Sequence, residues 1–166
     1  REGAAVAETI TIRSIWGGMS DETAAAVLGD VKRELPDLYR QAVATAAGSL
    51  KMRPQVLRQQ PAARQATTIR RTFTQVNQQD LATHLLIEWL TKCQKPMLGQ
   101  FLDDLGIEHE DGTIKQELGA EPDAERLSAA IAHLNENFPP EQVRIYLSAF
   151  STITADDWQR LPELIA

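Results

Sequence analysis

The sequence predicts an all-α fold: a compact bundle of about seven helices, preceded by an extended N-terminal arm. Three observations carry this expectation. Apolar residues recur at spacings of three and four, as along Leu81, Leu85, Leu86, Trp89, Leu90 and Cys93, which marks one buried helical face. Alanine and leucine are abundant while aromatics make up only 5%, a balance that favours helices over strands. Prolines stand at the joints between periodic segments, where a residue without a backbone N–H ends one helix or opens the next.

At 166 residues the chain is about one domain long, enough to bury roughly 70% of its unfolded surface. The expected organisation is an arm over 1–19 and a single helical domain over 20–166. An alanine-rich, basic half at 20–76 leads into an acidic half at 77–166 that contains the main core. Residues 8–16 alternate in part, with Ile10 and Ile12 against Thr11 and Arg13. That is a short strand pattern, broken by Gly17 and Gly18. Ser20 followed by Asp21 and Glu22 is a helix start, a capping hydroxyl ahead of carboxylates at the positive end of the dipole. This helix is expected to end at Leu35 before Pro36, and the next to run from Pro36 to about Gly48 with an inward face rich in alanine. Over 53–79 glutamine, threonine and arginine dominate. Short helices at 54–60 and 62–75 compete there with a partly disordered linker.

Asn77 is the expected N-cap of the central helix, which Pro96 ends near Gln94. A second helix then carries Met97, Leu98, Phe101, Leu102 and Leu105 and closes on Gly106 as a left-handed cap. After the polar loop 108–123, a helix spans Pro122 or Asp123 to Asn137. Pro139-Pro140 breaks it and seeds another, apolar almost all round through Val143, Ile145, Tyr146, Leu147 and Phe150. Thr154 with Asp157 reads as a capping box for the last helix, which carries Trp158, Leu161, Leu164 and Ile165. Helix–break–helix stretches around Pro96 and around Ser151–Thr154 each hold two aromatics twelve apart, Trp89 with Phe101 and Tyr146 with Trp158. The shared spacing points to a weak internal duplication.

The net charge of −6 conceals a block structure. Residues 38–79 hold seven Lys or Arg and no acid, whereas 80–166 hold six basic and sixteen acidic residues. The basic block is the one functional lead. Lys51, Arg53, Arg58, Arg64, Arg70 and Arg71 are the candidate residues for binding an anion or an acidic partner. Phe73 is the only nearby aromatic that could stack on a base, which weakens a nucleic-acid reading. Internal neutralisation by the acidic C-terminal region ranks first, an acidic protein partner second, and nucleic acid or phosphate third.

Catalytic and metal motifs are missing. His84, His109 and His133 are far apart, with no HExxH and no paired CxxC. Asp111-Gly112 and Ile114 match the middle of a calcium-binding EF-hand loop. With Gly112 at loop position six, however, Ile107 and Leu118 occupy the first and last positions, where oxygen ligands are needed. A connecting turn built on Asp-Gly is the better reading. Cys93 lies on an apolar face, where an inert thiol is expected, and there is no GxSxG and no GK[ST] phosphate loop. Adjacent carboxylates at Asp103–Asp104 and Asp156–Asp157 diverge on a helix.

The expectation is therefore a non-catalytic helical domain with no cofactor, a protein–protein interaction or regulatory domain whose partner is an acidic protein or a second copy of itself in a homodimer. A small-molecule sensor with a pocket around Trp89, Tyr146 and Trp158 is the third alternative. No apolar run approaches the roughly 20 residues of a membrane span. The first residues lack the apolar stretch of a signal peptide, and a lone cysteine suits a reducing cytoplasm.

Overall fold

The computed structural model describes residues 9–166 and is all-α. Ten α-helices and a single two-stranded hairpin occur among the described residues. About seven helices were expected; three of the ten are only five or six residues long, near 12, 54 and 160, and of these the first was not foreseen. The chain divides into two compact units, Ile12–Lys95 and Pro96–Ala166, with residues 9–11 grouped with the second. The division falls at the Pro96 joint.

The N-terminal unit opens with α1 (Ile12–Gly17), α2 (Asp21–Glu34) and α3 (Pro36–Ser49). Residues 1–8 of the expected arm lie outside the described residues, and the remainder is not a strand. Ile12, Ile15, Trp16 and Met19 follow a helical period, and this outweighs the brief alternation of Ile10 and Ile12. Trp16 is completely buried, stacks edge-on against Phe73 at 4.8 Å and donates its indole N–H to the Ala82 carbonyl at 3.2 Å. A tryptophan buries some 150–250 Å², enough to hold a six-residue helix that would not form alone.

Ser20 caps α2 as expected, its Oγ accepting the Thr23 N–H at 3.1 Å. The inward faces are Ala24, Val27, Leu28 and Val31 on α2, and Tyr39, Ala42, Val43, Ala46 and Ala47 on α3. Small side chains let these two helices approach closely.

Next come α4 (Pro54–Arg58) and α5 (Ala62–Thr72), so the glutamine-rich stretch is helical. Gln65 explains how so few apolar anchors suffice. Its buried amide accepts from the Tyr39 hydroxyl at 2.5 Å and donates to the carbonyls of Arg58 and Gln60 at 3.0 and 2.8 Å, fastening the α4–α5 corner to α3. A 3-10 turn, Val76–Gln78, then leads into α6 (Gln79–Glu88). Asn77 lies inside that turn and Gln78 is the cap residue, a correction to the expected N-cap. The helix finishes in a π-helical turn, Trp89–Cys93.

The C-terminal unit begins in α7 (Lys95–Asp104). Gly106 (φ +69°) ends α7 in the left-handed conformation, with the Ile107 N–H bonded to the Leu102 carbonyl at 2.9 Å. Strands β1 (His109–Glu110) and β2 (Thr113–Ile114) pair antiparallel around Asp111 (φ +51°) and Gly112 (φ +90°). Two positive φ values are what the favoured two-residue hairpin turn requires. Asp123 caps α8 (Ala124–Asn137), accepting the Arg126 N–H at 2.8 Å.

Helix α9 (Pro140–Ala149) is buried on nearly all sides and also ends in a π turn, Phe150–Thr154. Helix α10 (Arg160–Ile165) starts later than a Thr154 capping box requires, because Thr154 belongs to that π turn. Its first N–H groups are satisfied from a distance instead. The Glu121 carboxylate accepts from the backbone N–H groups of Gln159, Arg160 and Leu161 at 2.8–3.1 Å.

The internal duplication has a different register from the one expected. Helices α6 and α9 begin at 79 and 140, and their π turns at 89 and 150, a constant offset of 61 that pairs Trp89 with Phe150 rather than with Tyr146. At this offset the buried positions 66, 69 and 73 match 127, 130 and 134. Positions 82, 85, 86, 89 and 90 match 143, 146, 147, 150 and 151.

Candidate functional site

The six candidate cations all lie in the N-terminal unit, on or beside α4 and α5. Arg70 leaves the set. Its guanidinium is mostly covered and pairs with Asp21 at 2.9 Å, tying α5 to the start of α2. Lys51, Arg53, Arg58, Arg64 and Arg71 are exposed and make no ion pair among the described residues. Within the N-terminal unit the only acid that pairs with any of the six, among the described residues, is Asp21 at the start of α2. Over 12–95 there are twelve basic against seven acidic residues, and over 96–166 four against fourteen.

The local folding accounts for this display. Pro54 and Pro61 set the starts of two short helices, whose inward residues are Leu57 on α4 and Gln65, Ala66, Ile69 and Thr72 on α5. Arg58, Arg64 and Arg71 then fall on the opposite side, since inward positions recur every three to four residues. Lys51 sits just beyond α3 with φ +56°, where Met52 donates its N–H to the Ala47 carbonyl at 2.9 Å. Phe73 is completely buried against Trp16. The only aromatic within residues 51–79 is therefore committed to the core and unavailable for base stacking.

Sequence reasoning missed two histidine–aspartate pairs in the C-terminal unit. Asp103 and Asp104 do diverge, as adjacent helical residues must, and each receives a different histidine. His133 Nδ1 lies 2.6 Å from Asp104 Oδ2, and this hydrogen bond raises the His133 pKa above its usual range. His109 Nε2 lies 2.7 Å from Asp103 Oδ1 while its Nδ1 accepts the Gly112 N–H at 3.0 Å. With Nδ1 accepting, the ring proton sits on Nε2 and faces Asp103. The six-residue spacing from Asp103 to His109 across a Gly106 helix stop was the one available signal.

Cys93 is half-buried. Burial, with Asp30 and Glu34 nearby, pushes its thiol pKa up against a weaker pull from Arg33, which keeps it protonated near neutrality. Among the described residues no group of three or more His, Cys, Asp or Glu side chains converges as metal ligands would. Trp89 lies in the N-terminal unit, completely buried, its indole N–H on Asp30 Oδ2 at 3.1 Å. Tyr146 and Trp158 lie in the C-terminal unit within a cluster that includes Phe101 and Phe150, ring centroids 5.4–5.9 Å apart. The three aromatics proposed to line one sensor pocket are thus divided between the units. No described helix is long and apolar enough to cross a membrane. No protein-family model, curated protein or solved structure matches the chain.

Proposed function

We propose that the chain is a non-catalytic protein–protein interaction domain whose basic face, Lys51, Arg53, Arg58, Arg64 and Arg71, takes an acidic protein partner. The observation that carries the reading is the state of those five cations: exposed, held on or beside short helices and without ion pairs among the described residues. Complementary charge steers association and suppresses wrong partners more than it adds raw affinity, so a display of fixed, unpaired charge suits a docking role. Burial of Phe73 counts against single-stranded nucleic acid, which needs stacking platforms beside the cations. A protonated Cys93 thiol, and a His109 ring whose two nitrogens are both occupied, by Asp103 and by the Gly112 N–H, count against a nucleophilic centre in those groups.

Fluorescence anisotropy with a labelled Asp/Glu-rich peptide and an oligothymidylate of equal charge tests the reading. The peptide is expected to bind more tightly at physiological salt, and the triple variant Arg58→Gln, Arg64→Gln, Arg71→Gln to weaken it about tenfold, roughly 1.4 kcal/mol. Tighter binding of the oligothymidylate would overturn the assignment.

A further inference from the structure

The stretch that carries these cations also holds exposed apolar residues, which charge alone does not require. Leu50 is 54% exposed, Val56 46% and Val76 75%. These three are the most exposed large hydrophobic residues among the described ones, and all come from the short stretch between the end of α3 and the start of α6.

Leu50 and Val76 are distant in sequence but are brought together by a specific tether. Ser49 Oγ donates to Gln75 Oε1 at 3.1 Å, and Gln75 Nε2 donates back to Ser49 Oγ at 2.8 Å. Each apolar residue is the immediate neighbour of one partner in this bond. Gln79 Nε2 donates to the carbonyls of Phe73 and Gln75 at 2.9 and 2.7 Å, and the Arg13 guanidinium donates to the Thr74 carbonyl at 2.6 Å. Four side chains thus hold an irregular turn in place with Val76 pointing into water, an arrangement no fold requirement demands. Cations flank these residues along the chain: Lys51 follows Leu50, Arg53 caps α4 ahead of Val56, and Arg71 lies in the last turn of α5, before the turn that holds Val76. Exposed apolar groups rimmed by charge mark binding surfaces, with apolar anchors supplying affinity and the rim supplying orientation.

We infer that Leu50, Val76 and Val56 form an apolar docking patch for an acidic segment of a partner protein, one that presents large aliphatic or aromatic side chains flanked by carboxylates. The inference rests on the reading of the domain as a binder of acidic proteins. The occupant follows from charge complementarity: residues 38–79 contain no acid, and Lys51, Arg53 and Arg71 beside the patch lack carboxylate partners among the described residues. Apolar contact gives the surface a selectivity for sequence that a basic face by itself lacks.

Two labelled peptides of identical charge separate the possibilities: an Asp/Glu-rich peptide with two leucines four residues apart, and the same peptide with both leucines replaced by serine. The leucine peptide is expected to bind at least tenfold more tightly. The double variant Leu50→Ser, Val76→Ser should abolish that difference while leaving the serine peptide's affinity and the far-ultraviolet circular dichroism unchanged. Both positions are solvent-facing, so the fold is not at stake. Equal affinity of the two peptides overturns the apolar patch and leaves the charge-based function standing. Failure of both peptides, with binding to oligothymidylate or to phosphatidylserine vesicles or to neither, overturns both. A concentration-dependent dimer in sedimentation that the double variant dissolves would assign the patch to a second copy of the chain and also overturn the inference.

Discussion

Residues 62–93 and 123–154 run through the same succession of elements, a helix, a short turn, a second helix and a π turn, yet they are stabilised by different chemistry. Trp89 and Phe150 stand at equivalent places, each opening its π turn. In the N-terminal unit one ring contact, Trp16 on Phe73, is joined by polar handles: Trp89 donates to Asp30, Trp16 to the Ala82 carbonyl and Tyr39 to Gln65. In the C-terminal unit Phe150 meets Phe101, Tyr146 and Trp158 ring to ring, and the Trp158 indole N–H finds no acceptor among the described residues. The comparison shows that a backbone plan can persist while its fastening changes from directional hydrogen bonds to edge-on ring contacts. Only three positions are identical between the two stretches, Ala63/Ala124, Leu86/Leu147 and Thr91/Thr152. The burial pattern therefore carries the likeness.

The largest effects test that contrast directly. Phe150→Ala removes a ring that touches three others and is expected to cost about 3–5 kcal/mol, measured by denaturant unfolding of the whole chain. Trp89→Ala should cost a similar amount, but its loss divides differently. Asp30→Ala alone should cost about 0.5–1.5 kcal/mol for the missing hydrogen bond, and much less in a Trp89→Phe background, where that bond is already gone. If Asp30→Ala costs the same in both backgrounds, the polar fastening of the N-terminal unit is wrong.

Gly112→Ala is the next largest. An added Cβ there would lie 2.6 Å from Leu98 Cβ, at a φ of +90° that side chains rarely adopt. A loss of roughly 1–3 kcal/mol is expected, together with chemical-shift changes at His109, whose Nδ1 takes the Gly112 N–H. A neutral substitution would mean that the hairpin does not pack on α7 as described.

How much of this was legible beforehand depended on whether the signal was periodic or polar. The helices centred on Leu85, Tyr146 and Leu127 were readable because their apolar spacings are long and regular, and Ser20, Asp123 and Gly106 because caps are local chemistry. Helix α1 was not, since two isoleucines imitate a strand until Trp16 and Met19 are counted with them. The role of Glu121 was hidden for another reason. It caps N–H groups some forty residues away, and no window of sequence holds both ends of such a contact. The cations of the candidate face were legible as a block, but Arg70's removal by Asp21 and the exposure of Val76 are facts of packing.

Glu121 gives the C-terminal unit an acid dependence. Burial raises its pKa, but the backbone N–H groups of Arg160, Leu161 and Gln159 outweigh this and lower it overall. A carboxylate held below its unfolded value, about 4.3, stabilises the fold fully above that value and loses the contribution as pH falls through the lowered one. Glu121→Gln should therefore cost roughly 1–3 kcal/mol at neutral pH and flatten the acid limb of a stability–pH curve. An unchanged acid limb would show that α10 is capped by other means.

The smallest effect has the opposite sign. The hydrogen bond to Asp104 raises the His133 pKa, so its contribution is complete below the unfolded histidine value, about 6.5, and is lost as pH rises through the raised folded one. The pair sits at the surface, where such interactions contribute little. The check is therefore spectroscopic: the His133 ring proton should titrate above the ordinary histidine midpoint, and Asp104→Asn should bring it down toward that midpoint. Asp103→Asn should leave it unmoved, because Asp103 engages His109 instead. Equal responses to the two variants would mean that the adjacent aspartates act as one diffuse negative charge, and the separate pairing that distinguishes the end of α7 would not hold in solution.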